Sequence, residues 1–211
     1  MKRTNPYHSL GLRYNPFKQT ESLNISTDLW IDFGFSNPPS VKSSLFRQIL
    51  GEKGAGKTSH LLHWQELTHG PYYYCQKGWL RWRFPTLGEI AYWDEADSIP
   101  LPILLLTLIY ARCRCLTIVV STHIDITWLA ALCGFSIEKI FLSTLSTENL
   151  IIWTEKALKA AQLSPKNPIS LELSQKEAEE IMHKSQGSWR KAANYLHIWV
   201  AKSCQNQPDC K

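Results

Sequence analysis

Residues 51–58 of this sequence, Gly-Glu-Lys-Gly-Ala-Gly-Lys-Thr, match the pattern G-x-x-x-x-G-K-[ST] at every fixed position. Glycines allow such a loop to curl so that successive backbone N–H groups point at phosphate oxygens. In a nucleotide-binding loop Lys57 would reach the β- and γ-phosphates, and the Thr58 hydroxyl would bind Mg²⁺. An apolar stretch precedes the loop and a helical pattern follows it, which disfavours a chance match by a glycine-rich turn.

The loop and the helix after it supply most of the predicted contacts to the nucleotide. A helix that begins near Lys57 places about half a positive charge at its N-terminus, where phosphates bind favourably. Such a loop and helix are typical of a nucleoside triphosphate site with Mg²⁺, and the cofactors that we predict are ATP and Mg²⁺. The residues expected to line the phosphates are Gly51, Glu52, Lys53, Gly54, Ala55, Gly56, Lys57, Thr58 and Ser59.

An acidic pair, Asp94 and Glu95, follows the apolar residues 90–93. A carboxylate at the carboxyl end of a strand beside the phosphate loop can hold Mg²⁺ through water, so Asp94 and Thr58 are the predicted metal-binding residues. Glu95 would accept a proton from an attacking water, the role of a general base. An ordinary solvated acidic pair is the alternative, but the position after a strand and downstream of the loop favours the functional interpretation.

Alternating strand and helix patterns would position these motifs. The predicted strand 116–121 contains three consecutive apolar residues, 118–120, and such runs are typical of parallel strands covered on both faces. The predicted fold class is α/β: a three-layer P-loop NTPase core with a five-stranded, mainly parallel sheet, followed by a small C-terminal helical lid. The predicted strands are 45–50, 72–76, 89–93, 116–121 and 139–142, and the predicted helices are 57–67, 100–111, 126–132, 147–162, 174–186 and 188–202.

The predicted domain organisation has four parts: an irregular N-terminal arm at 1–43, the nucleotide-binding core at 44–146, the helical lid at 147–203 and a tail at 204–211. The arm is rich in turn-forming residues. Thr147 is expected to cap the first lid helix. In the second, Ser174 and Glu177 have the spacing of a capping box.

Composition excludes several classes of protein. The chain has 211 residues, 44% of them hydrophobic and 19% charged, which is typical of a globular domain. A net charge of +5 is compatible with nucleic acid without indicating it. The six cysteines include no C-x-x-C pair, which disfavours a zinc module or a dense disulfide framework. No signal-peptide core follows the first residues, and the apolar segment 101–111 is too short to span a bilayer, so we predict a cytoplasmic protein without membrane insertion.

In their order along residues 10–200, these motifs resemble those of the AAA+ ATPases. The stretch Asp94-Glu-Ala-Asp97 is similar to the second nucleotide motif, or Walker B motif, of that family. Residues 121–123, Ser-Thr-His, fall where the family places its first sensor. Residues 187–196 resemble the second-sensor helix of initiator-type members, and residues 15–17, Asn-Pro-Phe, resemble a motif of the secretion-associated and transposition-associated ATPases.

The resemblance implies roles for individual residues. His123 or Thr122 would touch the γ-phosphate or orient the attacking water, the alternative being that His123 caps the following helix. Arg190 would reach the γ-phosphate from the lid, unless it is an ordinary charged residue on a surface helix. Phe17 would stack near the adenine, and packing of the arm is an equal alternative. The implied catalytic residues are Glu95, Lys57, Arg190 and His123.

Two departures from the family pattern predict a reduced member. The interval between the phosphate loop and Asp94 is too short for the extra helix that the family usually carries there. No arginine lies between Arg114 and Arg190. An arginine that acts on the nucleotide of a neighbouring subunit must then be Arg112 or Arg114, or come from a partner; otherwise hydrolysis is slow.

Residues 79–83, Trp-Leu-Arg-Trp-Arg, alternate aromatic and cationic side chains in a way that can stack on nucleic acid bases. A solvated β-hairpin would show the same pattern, so both alternatives stay open at this point.

Three functions fit these observations. The favoured one is an ATPase that hydrolyses ATP to control its assembly, as an ATP-dependent homo-oligomer, on a partner protein or DNA. Apolar side chains of the last helix (Trp189, Tyr195 and Trp199) would contribute to its interface. The alternative is a nucleotide-dependent switch or adaptor with little turnover. A small P-loop kinase is less favoured, because the chain lacks an evident arginine-rich lid over a phosphate acceptor.

Overall fold

The computed structural model describes residues 5–17, 37–41, 43–142, 145–164 and 168–205 of the chain. The chain forms two compact units, one of Asp32–Ser143 and one of Met1–Ile31 together with Thr144–Lys211. We call the first the sheet unit and the second the helical unit.

The sheet unit contains a five-stranded sheet in the order β2-β3-β4-β1-β5, with every neighbouring pair parallel. This confirms the predicted α/β class, and the sheet is entirely rather than mainly parallel. The strands are β1 Leu45–Leu50, β2 Tyr72–Tyr74, β3 Ile90–Asp94, β4 Thr117–Thr122 and β5 Ser136–Phe141. The helices are α1 Lys57–Thr68, α2 Leu101–Cys113 and α3 Thr127–Leu132.

Helices cover both faces of the sheet, as the apolar central strands require. On one face, Leu61 and Trp64 of α1 pack against a cluster that includes Ile49 and Val119. On the other face, α2 and α3 pack against the alternate residues of the same strands, such as Phe46 and Ile118. The result is the predicted three-layer core, with the sheet as the middle layer.

Among the strands, the predicted boundaries differ most at the two edge strands, and among the helices the last one, Trp189–Gln205, extends three residues beyond its predicted end. β5 begins at Ser136, three positions before the predicted 139, and most of its side chains are exposed. An exposed edge strand has no continuous apolar pattern to mark its start. β2 is shorter than predicted and ends at Tyr74.

Within its described residues, the helical unit contains the α-helices α4 Thr147–Ala160, α5 Gln175–Ser185 and α6 Trp189–Gln205. α5 begins with the predicted capping box, in which both hydrogen bonds between Ser174 and Glu177 are present. The predicted cap of α4 is wrong by one residue. Ser146, not Thr147, accepts a hydrogen bond from the N–H of Asn149, because the cap must precede the first helical residue.

Residues 5–17 of the predicted N-terminal arm fold with the helical unit, whereas residues 37–41 and 43 belong to the sheet unit. The first of these segments begins with a 3-10 helix at Pro6–Leu10. The Arg13 N–H donates to the carbonyl of Ala161 at 2.8 Å, and the Asn15 side chain donates to the carbonyl of His197 at 2.9 Å. Residues 1–4, 18–36 and 42 of the predicted arm lie outside the described residues, as do 206–211 of the predicted tail. The division into four parts stays a prediction.

No helix within the described ranges combines the length and the apolar character needed to cross a membrane.

A glycine joins the arm to the helical unit, and we predict that it is required there. Gly11 has a φ of 75°, and a Cβ on it would lie 2.7 Å from the carbonyl oxygen of Pro168. Its own carbonyl accepts from the N–H of Leu163 at 2.8 Å. Gly11→Ala should speed hydrogen exchange at the Leu163 amide by about tenfold or more, because the alanine must move the contacting backbone.

Gly78→Ala is the matched control, since Gly78 also has a positive φ, of 72°, but a Cβ there meets nothing within 4 Å. This variant should lower the free energy of unfolding only by the strain of the left-handed conformation, about 1 kcal/mol. Hydrogen exchange at the Leu163 amide should stay unchanged. Equal exchange at Leu163 in the two variants would contradict this role for Gly11.

Candidate nucleotide-binding site

The carboxyl ends of the parallel strands meet at one edge of the sheet, and the predicted site residues of the sheet unit lie there. The phosphate loop follows β1, Asp94 is the last residue of β3, and Thr122 is the last residue of β4. β4 lies between β1 and β3. The acidic pair is therefore one strand removed from the loop, and side chains across β4 must connect them.

The phosphate loop has the backbone conformation that its glycines permit. Gly54 and Gly56 have φ values of 87° and 92°, in the left-handed region that disfavours other residues. Gly56 precedes α1 without offering a side-chain acceptor to the first turn of the helix. The N–H groups of that turn have no partner within the helix itself, so they can bind an anion.

Lys57 is buried, with 7% of its surface exposed, and lies over the loop. Its ammonium donates to the carbonyl oxygens of Gly51 at 2.7 Å and Glu52 at 2.9 Å, and lies 3.3 Å from Nδ1 of His123. Burial lowers the pKa of the Lys57 ammonium, and the nearby carboxylates, led by Asp94, oppose that shift. The ammonium is thus held at the loop by uncharged carbonyl oxygens, and phosphate oxygens could take their place.

The Asp94 carboxylate connects the strands and helices at this edge. Its Oδ2 accepts from the hydroxyl of Thr58 at 2.8 Å and from the phenol of Tyr72 at 2.9 Å. Its Oδ1 accepts from the hydroxyl of Ser121 and, at 3.2 Å, from the N–H of Glu95. The two predicted metal-binding residues, Thr58 and Asp94, are therefore in direct contact.

Tyr72 is a site residue that the sequence analysis missed. Burial, followed by the charge of Asp94, raises the pKa of its phenol, which therefore stays protonated and donates. Tyr74, two residues further along β2, donates to the Glu95 carboxylate at 3.3 Å. Side chains two apart point to the same face of a strand. The spacing of these tyrosines was a visible signal, but only the pairing of β2 with β3 shows which carboxylates they meet.

Glu95 follows β3 in a left-handed conformation, with φ 54° and ψ 42°. Its N–H is near both the Asp94 carboxylate and, at 3.1 Å, the hydroxyl of Ser121. Non-glycine residues in this conformation are strained and are held by their surroundings. The next acidic residue, Asp97, accepts from the His123 N–H at 3.4 Å through Oδ2. Its buried Oδ1 has no hydrogen-bond partner among the described residues. This oxygen can therefore accept a hydrogen bond from a donor such as water.

Gln48 of β1 is a second missed residue, and it shapes the segment that carries His123. Its side chain is fully buried. Its amide nitrogen donates to the hydroxyl of Thr122 and, at 2.7 Å, to the carbonyl of Ile124, and its amide oxygen accepts from the N–H of Ile126 at 3.2 Å. One side chain thus satisfies three polar groups of the turn after β4.

These contacts distinguish the alternatives for the first sensor. Thr122 is buried and its hydroxyl is bonded to Gln48, whereas His123 is exposed and faces Lys57. The first residue of α3, Thr127, donates to the Asp125 carboxylate from its N–H at 2.9 Å and from its hydroxyl. Asp125, not His123, therefore bonds the first residue of α3, whose N-cap position is Ile126. His123 lies nearer to the loop, and its role as a sensor stays a prediction.

The remaining predicted site residues lie away from this cluster or in the other unit. Phe17 is 3% exposed within the core of the helical unit and packs against Trp153, with ring centroids 5.3 Å apart, so packing accounts for its burial and the adenine contact stays a prediction. Arg190 is exposed on α6, and its role also stays a prediction. Arg112 donates to the carbonyl of Gly134 at 2.7 Å. Arg112 and Arg114, at the end of α2, precede β4 and so belong to the amino edge of the sheet, opposite the phosphate loop.

The residues at the carboxyl edge fit a nucleoside triphosphate with Mg²⁺. The loop offers N–H groups without side-chain acceptors, a buried ammonium, and a hydroxyl–carboxylate pair of the oxygen-donor type that Mg²⁺ requires. A Cβ on Gly51 would lie 3.2 Å from the Cβ of Ala55 and 3.3 Å from the carbonyl oxygen of Leu142. A larger residue at the start of the loop would therefore have to displace one of these neighbours.

Comparison with known proteins identifies the fold. No family model matches the chain, and no curated protein matches its sequence. Among solved structures it is similar to Cdc6p from Pyrobaculum aerophilum, with a TM-score of 0.53 at 15% identity over 76% of this chain. It is also similar to a variant of RuvB from Thermotoga maritima, with a TM-score of 0.52 at 16% identity over 74% of this chain, and to the RuvB Holliday junction branch migration motor of the same organism, with a TM-score of 0.50 at 16% identity over 74%.

These similarities concern the fold alone, which is an all-parallel five-stranded sheet with helices of the P-loop NTPase type. The chain spans 56% of the length of each of these three structures, which is a little over half.

Tyr72→Phe tests whether the second donor to Asp94 Oδ2 orients that carboxylate for a metal. Removing the phenol oxygen should raise the Mg²⁺ concentration needed for half-maximal ATP binding about tenfold, the usual effect of losing an outer hydrogen bond to a ligating group. Titration of Mg²⁺ against a fluorescent ATP analogue measures it.

Tyr73→Phe is the matched control, because Tyr73 lies on the opposite face of β2 and packs against the cluster under α2. It should leave the Mg²⁺ requirement unchanged. If the two variants require the same Mg²⁺ concentration, Tyr72 does not position Asp94.

Proposed function

We propose that this protein binds Mg-ATP at the carboxyl edge of its sheet and hydrolyses it, using the nucleotide state to control its assembly on a partner protein or nucleic acid. The observation that carries the proposal is the direct contact of Thr58, at the start of α1, with Asp94, at the end of β3, beside the Lys57 ammonium. A cation, a hydroxyl and a carboxylate in this arrangement are the side chains that phosphoryl transfer to water uses in P-loop proteins.

In this proposal each residue has a defined part. The N–H groups of the loop and Lys57 bind the phosphates, while Thr58 and Asp94 bind Mg²⁺, which supplies charge neutralisation on the phosphate oxygens. Glu95 accepts a proton from the attacking water, and the Tyr74 phenol at 3.3 Å helps to orient it. His123 contacts the terminal phosphate or the water, since it already lies 3.3 Å from the Lys57 ammonium. Arg190 of the helical unit would report the nucleotide state.

Exposed apolar side chains support assembly into homo-oligomers. Leu106, Ile109 and Tyr110 of α2 are exposed, and their spacing of three and four places them on one helix face. The last helix has less exposed apolar surface for an interface than the sequence predicts, because Trp189 and Trp199 pack against the core of the helical unit. DNA is a plausible partner class because one similar structure is described as a Holliday junction branch migration motor.

No arginine lies between Arg114 and Arg190, where one could act on the nucleotide of a neighbouring subunit. This favours a second candidate function, a nucleotide-dependent switch or adaptor with little turnover. Arg112 is held by the carbonyl of Gly134, which leaves Arg114 as the arginine after α2 that is exposed and available to a neighbouring subunit. A small-molecule kinase has less support, because Glu95, half-buried beside Asp94, is a carboxylate suited to activating water. We place the protein in the cytoplasm, where the cysteines that the structure describes, which form no disulfide, would stay reduced.

Lys57→Ala should weaken ATP binding by tenfold or more, about 1.4 kcal/mol at least, because the phosphate charge loses its buried cation. Isothermal titration with Mg-ATP measures the change. Lys176→Ala, which removes an exposed lysine of α5, is the control and should bind ATP as the unmodified protein does. Unchanged affinity in a folded Lys57→Ala variant would refute the nucleotide-binding proposal.

Glu95→Gln should retain ATP binding and lose hydrolysis, because the amide keeps the shape of the side chain but cannot accept a proton from water. Phosphate release in the presence of Mg²⁺ measures turnover. Hydrolysis at the unmodified rate would exclude Glu95 as the base, and an unmodified protein that binds but does not hydrolyse ATP would favour the switch.

The same variant tests assembly, because it holds ATP without consuming it. Its mass by light scattering should be larger with ATP than with ADP, since a nucleotide can shift assembly only by binding the assembled and free forms differently. A monomer at tens of micromolar in both nucleotides would contradict assembly.

A further inference from the structure

The segment between β2 and β3 exposes large aromatic side chains that the site does not use. Residues 78–82 form a 3-10 helix, and β2 and β3 pair in parallel, so the segment is not the β-hairpin that the sequence left open. Trp79 is 88% exposed, Phe84 59% and Trp82 49%. Exposed aromatic residues that are grouped together indicate a surface that binds something.

The cations of the same segment are unneutralised. Lys77, Arg81 and Arg83 alternate with the aromatic residues, and no acidic residue occurs from 76 to 88. None of these cations forms an ion pair within the described ranges. The Arg81 guanidinium lies 5.9 Å from the centroid of the Trp82 ring, within the range of a cation–π contact. The segment therefore already places a planar cation beside an aromatic ring.

We propose that residues 77–84 bind a single strand of nucleic acid, with bases stacked on Trp79 and Phe84 and phosphates paired with the three cations. A protein partner would need acidic groups matched to fixed positions, whereas a nucleic acid strand carries a phosphate for each base and meets both features of the segment at once. Duplexes are excluded as the main ligand because their bases are not free to stack on a side chain.

The segment does not distinguish DNA from RNA. Between Gly78 and Phe84 the side chains are Trp, Leu, Arg, Trp and Arg, none of which can accept a hydrogen bond from a ribose 2′-OH. Binding needs no bound nucleotide, so this inference goes beyond the proposed function and can be tested apart from it.

The test is fluorescence anisotropy of a labelled oligothymidine in buffer without nucleotide or Mg²⁺. The unmodified protein should bind it, and Trp79→Ala should weaken binding about fivefold or more, the loss expected when one base can no longer stack. Arg81→Ala combined with Arg83→Ala should reduce the slope of log K against log salt by about 1.4, or 0.7 for each lost phosphate contact.

Trp128→Ala is the matched control, since Trp128 is an exposed tryptophan of α3 outside the segment, at 54% exposure. It should bind the oligothymidine as the unmodified protein does. An oligouridine should bind with an affinity similar to that of the oligothymidine, and a labelled duplex should bind more weakly than either.

Three results would overturn the proposal: no binding of the oligothymidine by the unmodified protein at low salt, equal losses in Trp79→Ala and Trp128→Ala, or a preference for the duplex. A strong preference for one sugar would overturn the assignment of the contacts to base faces and phosphates. Because the assay contains no ATP, a Lys57→Ala variant that has lost ATP binding should still bind the strand, which separates this result from the proposed function.

Discussion

Burying the carboxylate of Asp94 costs free energy unless both of its oxygens accept hydrogen bonds. Its donors come from four different parts of the sheet unit: Tyr72 of β2, Thr58 of α1, Ser121 of β4 and the backbone of Glu95. The hydrogen bonds that the Asp94 carboxylate must accept therefore hold the phosphate loop, the acidic pair and the edge strand β2 in a fixed arrangement. The same arrangement places an oxygen-rich site next to a buried lysine.

The position of β4 between β1 and β3 explains the other polar residues inside the sheet unit. Because the loop and the acidic pair are not on neighbouring strands, Ser121 bridges from β4 to Asp94, and Gln48 bridges from β1 to the turn after β4. Each of these buried polar side chains has its hydrogen bonds satisfied, which favours one arrangement over others. The position of His123 near Lys57 follows from that turn.

Among the described residues, two of the exposed surfaces of the sheet unit differ in chemistry. One is the apolar face of α2, with Leu106, Ile109 and Tyr110, and the other is the aromatic and cationic segment at 77–84. A surface without charge suits another copy of the chain, whereas the segment suits a polyanion with flat bases. The two surfaces consist of different residues on different elements, so the proposed assembly and the proposed nucleic acid binding need not use the same side chains.

The features that depend on local pattern were predictable from the sequence. They include the phosphate loop, the order of strands and helices, the Asp94–Glu95 pair and the Ser174 capping box, because each is determined by neighbouring residue types and their spacing. Only the tertiary structure decided that Tyr72 and Ser121 bond Asp94, that Gln48 holds the turn after β4, and that His123 rather than Thr122 faces the loop. These contacts depend on which strands are neighbours and which face each side chain takes, and residues distant in sequence determine both.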